Sequence, residues 1–177
     1  MRLFHLKLMI EYMKNNVQVY KPAELVEAEI QDCLSVIKEG GALINSKTAV
    51  NEFPHSAVIA IKRVKKKIVG VGVIKQKRPK YASDIAKKSR FQFDNDIHEF
   101  GYVAVKKSHR RLGFSHEITT KLLATFQSRP LFATTSNEYM KPTLKKAGFI
   151  QHGDEWQGKK GKLSLWIIAA TNTKIHN

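Results

Sequence analysis

The sequence predicts a mixed α/β fold, with helices flanking one central β-sheet. Three observations point there. Short β-rich runs alternate with helical stripes, glycine and proline punctuate the changes, and 42% of the 177 residues are hydrophobic. That apolar content suits one sizeable core and excludes a disordered chain.

The elements follow in order. "VQVY" (17–20) alternates and ends at Lys21-Pro22, which reads as a short strand. A helix follows over 23–38, with Pro22 near its start, Leu25, Ile30, Leu34 and Ile37 near helical spacing, and Gly40-Gly41 as its stop. Residues 42–56 read as a polar connection. "AVIAIKR" (57–63) and "KIVGVGVIK" (67–75) form a hairpin around a basic turn. Residues 76–96 read as a long loop with one helical turn. "IHEFGYVAV" (97–105) is a strand, and 112–128 a helix with Phe114, Ile118, Leu122 and Phe126 on one face. "LFATT" (131–135) is a strand and 137–147 a helix capped at Ser136 or Asn137 and stopped at Gly148. "FIQHG" and "KLSLWIIAA" supply the last two strands, with Trp166 in the core. Residues 17–170 thus read as a single domain, 1–16 as an N-terminal extension and 171–177 as a C-terminal tail.

Charge and cysteine usage bound the function. Lys and Arg number 31 against 15 acids, a formal net charge of +16, so a polyanionic partner such as nucleic acid is an expectation. Between Lys62 and Arg90 there are twelve basic residues and one acid, Asp84. Lys65, Lys66, Lys67, Lys77, Arg78 and Lys80 are the candidate polyanion or substrate contacts. The lone Cys33 excludes an internal disulfide and a Cys-rich zinc site; it reads as a core thiol in a reducing cytosol. No histidine spacing suggests a metal. The start, "MRLFHLKLMIEYMKNN", is interrupted by His5 and Lys7, ends its apolar run at Glu11 and has no small-residue cleavage site. It reads as no signal peptide, with Met9 and Met13 as alternative starts, and no apolar run approaches a membrane span.

The chemistry concentrates in "SHRRLGFSHE" (108–117), where a strand feeds a turn and then a helix. The first N–H groups of a helix lack internal partners and sit at the positive end of its dipole, so such a turn is a cradle for phosphate. Gly113 keeps a Cβ out of the way, Ser115 is small and adds a hydroxyl, and Arg110 and Arg111 add charge. No Gly-Lys-Ser/Thr follows, so this is not a Walker loop. "GVGV" (70–73) lies inside a strand and opens no helix, which excludes a dinucleotide fingerprint.

"EFGYVAVKKSHRRLGFSHEITTKLL" resembles the core motif of the Gcn5-related N-acetyltransferases (GNAT): a strand, then Arg/Gln-x-x-Gly-x-Gly/Ala, then a helix. Arg110, Arg111, Leu112, Gly113, Phe114 and Ser115 match it, with serine as the last small residue. "NEYMKPTLKKAGF" resembles the family's later helix and its Gly-Phe ending. The resemblance implies the acyl-CoA N-acyltransferase fold and acetyl-CoA as co-substrate. Its diphosphate would lie on the 110–115 turn and its pantetheine arm along Val103, Ala104 and Val105, with Asn137 touching the cofactor. A backbone N–H near Val103 to Val105 would polarise the thioester. Glu99 heads the central strand where family members often carry the base, with His98 and Asp96 as alternatives; alternation sets His98 on the face opposite Glu99. The family's acidic tyrosine falls on Leu144 here, and Tyr139, five residues earlier, lies about 140° away around the helix. Acetyl transfer to a primary amine is the function implied, the acceptor nucleic-acid-associated or otherwise anionic. Because the family often dimerises, a homodimer is a further expectation. The alternative is a basic nucleic-acid-binding protein on the same scaffold, without catalysis.

Overall fold

The computed structural model describes residues 16–41, 46–127 and 129–170. Residues 1–15 of the predicted extension and the whole predicted tail lie outside the described residues. β1 (Val17–Tyr20), β2 (Val58–Val64), β3 (Lys67–Lys75), β4 (His98–Val105), β5 (Leu131–Thr135), β6 (Ile150–Gly158) and β7 (Gly161–Ile168) form one sheet in the order β1-β2-β3-β4-β5-β7-β6. All neighbours are antiparallel except β4 and β5, which run parallel.

Among the described residues five α-helices flank the sheet: α1 (Glu27–Glu39), α2 (Ser46–Glu52), α3 (Pro79–Ser89), α4 (Phe114–Thr125) and α5 (Met140–Lys146). Two correct the sequence reading. The polar connection contains α2, and the long basic loop is mostly α3, with Pro79 in its first turn, where a missing N–H costs nothing. The 23–38 helix starts later, after a 3-10 turn at Pro22–Glu24.

Alternation along the strands separates two cores. On one face Cys33, Val36 and Ile37 of α1 and Ala49 of α2 cover Ile59, Ile61, Val71 and Val73. On the same side Ala82 and Ile85 of α3 pack with Phe132 and Leu165. Opposite, Ile118 and Leu122 of α4 and Leu144 of α5 cover Ile74, Phe100, Ala133 and Trp166. Burial pushes the Cys33 thiol up to about 12, which makes it inert.

Gly70 and Gly72 explain the close seating of α4. A Cβ on Gly72 would lie 2.4 Å from Ile118 Cγ2 and 3.0 Å from Leu122 Cδ1. Gly72→Val should therefore overpack this layer and cost about 2–3 kcal/mol, read as a lowered urea midpoint at unchanged m-value.

Candidate functional site: a parting in the sheet and an amide-lined corner

β4 and β5 pair only at His98–Leu131 and Glu99–Phe132, and then separate. The gap opens a cleft of about 370 Å³ between the two strands, walled by Gly40 and Gly41 after α1 and by residues of α2, α3, α5 and the β6–β7 turn. A bulge in β4 accompanies the parting. Val71 faces Ala104 and Val73 faces Gly101, so Tyr102 and Val103 together oppose Gly72. Tyr102 takes the extra residue's place with φ +52, a left-handed conformation uncommon for a bulky side chain, and its ring enters the cleft.

The register also says which amides face the gap. Lys106 N–H donates to Val69 O at 2.8 Å, and Val105 lies opposite Gly70. Alternation then turns the N–H and C=O of Val105 and Val103 away from β3, toward the unpaired side. Ala104 points its backbone at β3, and its side chain meets Gly40 at the end of α1. Of the predicted Val103–Val105 trio, the outer two line the open edge and Ala104 does not.

At the end of β4 the chain makes a 3-10 turn at Lys107–His109, then enters α4 through Arg111 (φ +63) and Gly113 (φ +80). The amides of Arg111, Leu112, Gly113, Phe114 and Ser115 donate to no group among the described residues. The Arg110 amide donates to Lys107 O at 3.4 Å, so the open run begins one residue later than the sequence suggested. A Cβ on Gly113 would meet nothing within 4 Å: the corner is not filled by side chains. Behind it, Lys62 of β2 pairs with Glu117 of α4 at 2.6 Å, its ammonium 4.6 Å from the Phe114 ring centroid.

The opposite end of the cleft is a buried charge network. Glu99 is 5% exposed. Its Oε1 accepts from Lys75 Nζ at 2.9 Å and its Oε2 from Arg78 Nη2. Arg78 Nη1 donates to Glu52 Oε1 at 2.5 Å, and Tyr102 Oη donates to Glu52 Oε2 at 3.1 Å. The Lys75 ammonium sits 3.9 Å from the Tyr102 ring centroid. Burial, the largest single influence, works against the Arg78 charge, yet the charge and hydrogen bond of Glu99 together with Glu52 and Tyr81 raise its pKa on balance. Burial, then the Glu52 carboxylate, push the Tyr102 hydroxyl upward, and burial followed by Glu99 does the same to Tyr81.

The sequence-predicted residues therefore divide. Glu99, Val103, Asn137 and Arg78 line the cleft, and Asn137 Oδ1 accepts the Tyr139 amide at 2.9 Å. The two alternatives to Glu99 do not line it: His98 packs edge-on against Phe126 on the opposite face, and Asp96 pairs with Lys77 at 2.6 Å. Burial, then Arg129, lower the His98 pKa. Leu144 is buried against the cleft, while Tyr139 is 88% exposed outside it. The six candidate polyanion contacts are not brought together. Lys65, Lys66 and Lys67 sit at the β2–β3 tip, and Lys77, Arg78 and Lys80 follow the far end of β3, about 27 Å of strand away. Glu52, Lys75, Tyr81 and Tyr102 are the cleft residues that sequence reasoning missed. One signal was available: Lys75 faces Glu99 directly across the β3–β4 pair. Among the described residues no group of His, Cys, Asp and Glu is arranged to hold a metal, and no helix is long and apolar enough to cross a membrane.

No protein-family model and no curated protein matches the sequence. Solved structures do match in fold. An acetyltransferase of the GNAT family from Streptococcus agalactiae is 13% identical, with TM-score 0.67 over 86% of this chain and 95% of that one. An acyl-CoA N-acyltransferase from Pseudomonas aeruginosa is 9% identical, with TM-score 0.60 over 87% and 99%. The ribosomal-protein-S18-alanine N-acetyltransferase of Escherichia coli is 11% identical, with TM-score 0.61 over 91% and 99%.

Proposed function

The chain has the acyl-CoA N-acyltransferase (GNAT) fold, and from that premise we propose that it is an acetyl-CoA-dependent N-acetyltransferase acting on a primary amine. One observation carries this: five consecutive unengaged amides, Arg111 to Ser115, at the mouth of a parted sheet. They match the needs of a diphosphate, which takes hydrogen bonds from backbone N–H groups at a helix start. The pantetheine arm then extends along the open β4 edge against Val103 and Val105, whose outward amides polarise the thioester carbonyl. Asn137, just after β5, closes the cofactor side.

The acceptor enters the end bounded by Glu99, Glu52 and Arg78. Its ammonium gives a proton to this carboxylate pair, the neutral amine attacks the acetyl carbon, the C–N bond forms, the nitrogen gives up its second proton to solvent, and the C–S bond breaks to release the thiolate. Glu99 is the proposed base. Both its oxygens already accept from cations, so a proton arriving there displaces one of them; Glu52 is the more open partner. With Leu144 in place of a tyrosine, the thiolate takes its proton from solvent.

Isothermal titration with acetyl-CoA tests this reading. Saturable binding is expected with a Kd in roughly the micromolar-to-millimolar range usual for enzyme substrates. Absence of heat at millimolar cofactor would refute it. A second reading, a non-catalytic nucleic-acid-binding protein, draws on the net charge of +16 and the exposed Lys80, Lys87 and Lys88 of α3. It requires strongly salt-dependent tRNA or DNA affinity together with a silent acetyl-CoA titration. A nucleic-acid-borne amine as acceptor joins the two readings and predicts both signals.

A further inference from the structure

The two ends of the cleft treat positive charge differently. At the acceptor end Lys75, Lys77 and Arg78 each meet a carboxylate. At the other end Lys65, Lys66, Lys67, Lys107, Arg110 and Arg111 are all exposed, and none of their side chains has a partner among the described residues. The β2–β3 tip belongs to that end: Val69 bonds Lys106 just before the corner, and Lys62 ties β2 to the first turn of α4.

The tip itself is costly. Val64 pairs with Lys67, leaving Lys65 (φ +48) and Lys66 (φ +68) as a two-residue turn with both residues left-handed. Asn-Gly is the favoured pair for such a turn, since lysine gains nothing from a left-handed backbone. Charge stands where stability alone would place Asn-Gly, beside further unpaired cations that repel it. Bound anion relieves that repulsion. The corner amides account for a diphosphate, and the surplus charge beside them suits an additional phosphate.

We propose that the β2–β3 tip, through Lys65, Lys66 and Lys67, binds the 3′-phosphate of the coenzyme A ribose while the 111–115 amides hold the diphosphate. This makes the tip the element that selects coenzyme A over its dephosphorylated form, and it rests on the acyltransferase reading above. It also reassigns the tip lysines, which the sequence offered as acceptor contacts, to the cofactor.

The test compares coenzyme A with 3′-dephospho-coenzyme A by titration against wild type, the Lys65→Asn/Lys66→Gly double variant and Lys67→Gln. Wild type should prefer coenzyme A by at least about tenfold, the size expected of charge-assisted phosphate bonds. The double variant, which keeps only Lys67 of the three, should lose most of the preference by binding coenzyme A almost as weakly as the dephospho form, while its Tm rises, because the turn now suits its backbone. Lys67→Gln should lose part of the preference. Equal wild-type affinity for the two forms overturns the proposal but leaves the acyltransferase reading intact, as does full discrimination retained by the double variant. Binding of neither form by wild type removes the acyltransferase reading itself. If the double variant keeps its discrimination but loses affinity for a tRNA or DNA duplex, the tip serves nucleic acid and the proposal falls.

Discussion

Arg78→Met is expected to destabilise the protein by about 3 kcal/mol. The guanidinium bridges Glu52 of α2 and Glu99 of β4, two carboxylates with no other common partner. Removing it leaves Glu99, with a side chain only 6% exposed, dependent on Lys75 alone. Breaking a buried ion pair costs about 3–5 kcal/mol, chiefly as desolvated charge left behind. The Glu52 side chain is 28% exposed and recovers water, which places the estimate at the low end. Against a typical total stability of about 5–15 kcal/mol, this lowers Tm by roughly 6–12 °C. A control separates charge from packing. Arg78→Met combined with Glu99→Leu, Glu52→Gln and Lys75→Met removes the stranded carboxylates together with the ammonium that Glu99 neutralises, and should recover most of the loss. If the quadruple variant is no more stable than Arg78→Met, the network is not what the single change disturbs.

That network also marks the limit of what could be read from sequence. The corner at 108–117 was legible because everything it needs is local: a strand, a glycine and a helical stripe within a few residues. The network was not, because α2, β3, the residue just before α3 and β4 each contribute one or two members and only the tertiary fold unites them. Two of those contributors were themselves hidden. α3 buries Ala82, Ile85, Ala86 and Ser89, a regular helical stripe whose members are mostly too small to stand out as hydrophobic. α2 is seven residues long and places Ala49 in the core, too little apolar signal to separate it from a loop. The sheet, by contrast, was largely legible because most of its strands are β-branched runs bounded by turn residues; the exception is β6, which runs on to Gly158 through polar residues that read as part of a turn. What no strand pattern could show was the parting between β4 and β5, which follows from a bulge at Tyr102 and a parallel pair that ends after two residues.

Gly113→Asp is expected to weaken acetyl-CoA binding by about a hundredfold or more without unfolding the protein. Gly113 sits at φ +80, and a Cβ there meets open space, so a side chain encounters backbone strain of about 1 kcal/mol rather than a clash. Aspartate tolerates that region better than most residues, and its carboxylate at the start of α4 interacts favourably with the helix dipole, offsetting much of the strain. Stability should therefore stay within about 1 kcal/mol of wild type. Binding responds differently. The new carboxylate occupies the space that the open amides address and faces a diphosphate of like charge. Repulsion between unit charges about 4 Å apart runs from about 1 kcal/mol in water to about 4 kcal/mol near a protein surface, before any loss of hydrogen bonds. Gly113→Asn has the same shape and the same tolerance of the backbone without the charge, and should retain most of the affinity. The ratio of Asp to Asn dissociation constants isolates the electrostatic part and should shrink as salt is raised. Gly113→Ala controls for strain alone and should bind within several-fold of wild type, since 1 kcal/mol is about a fivefold change. Indistinguishable affinities for glycine, asparagine and aspartate at low salt would mean that the diphosphate does not lie against Arg111–Ser115, and the mechanism built on that corner would have to be abandoned.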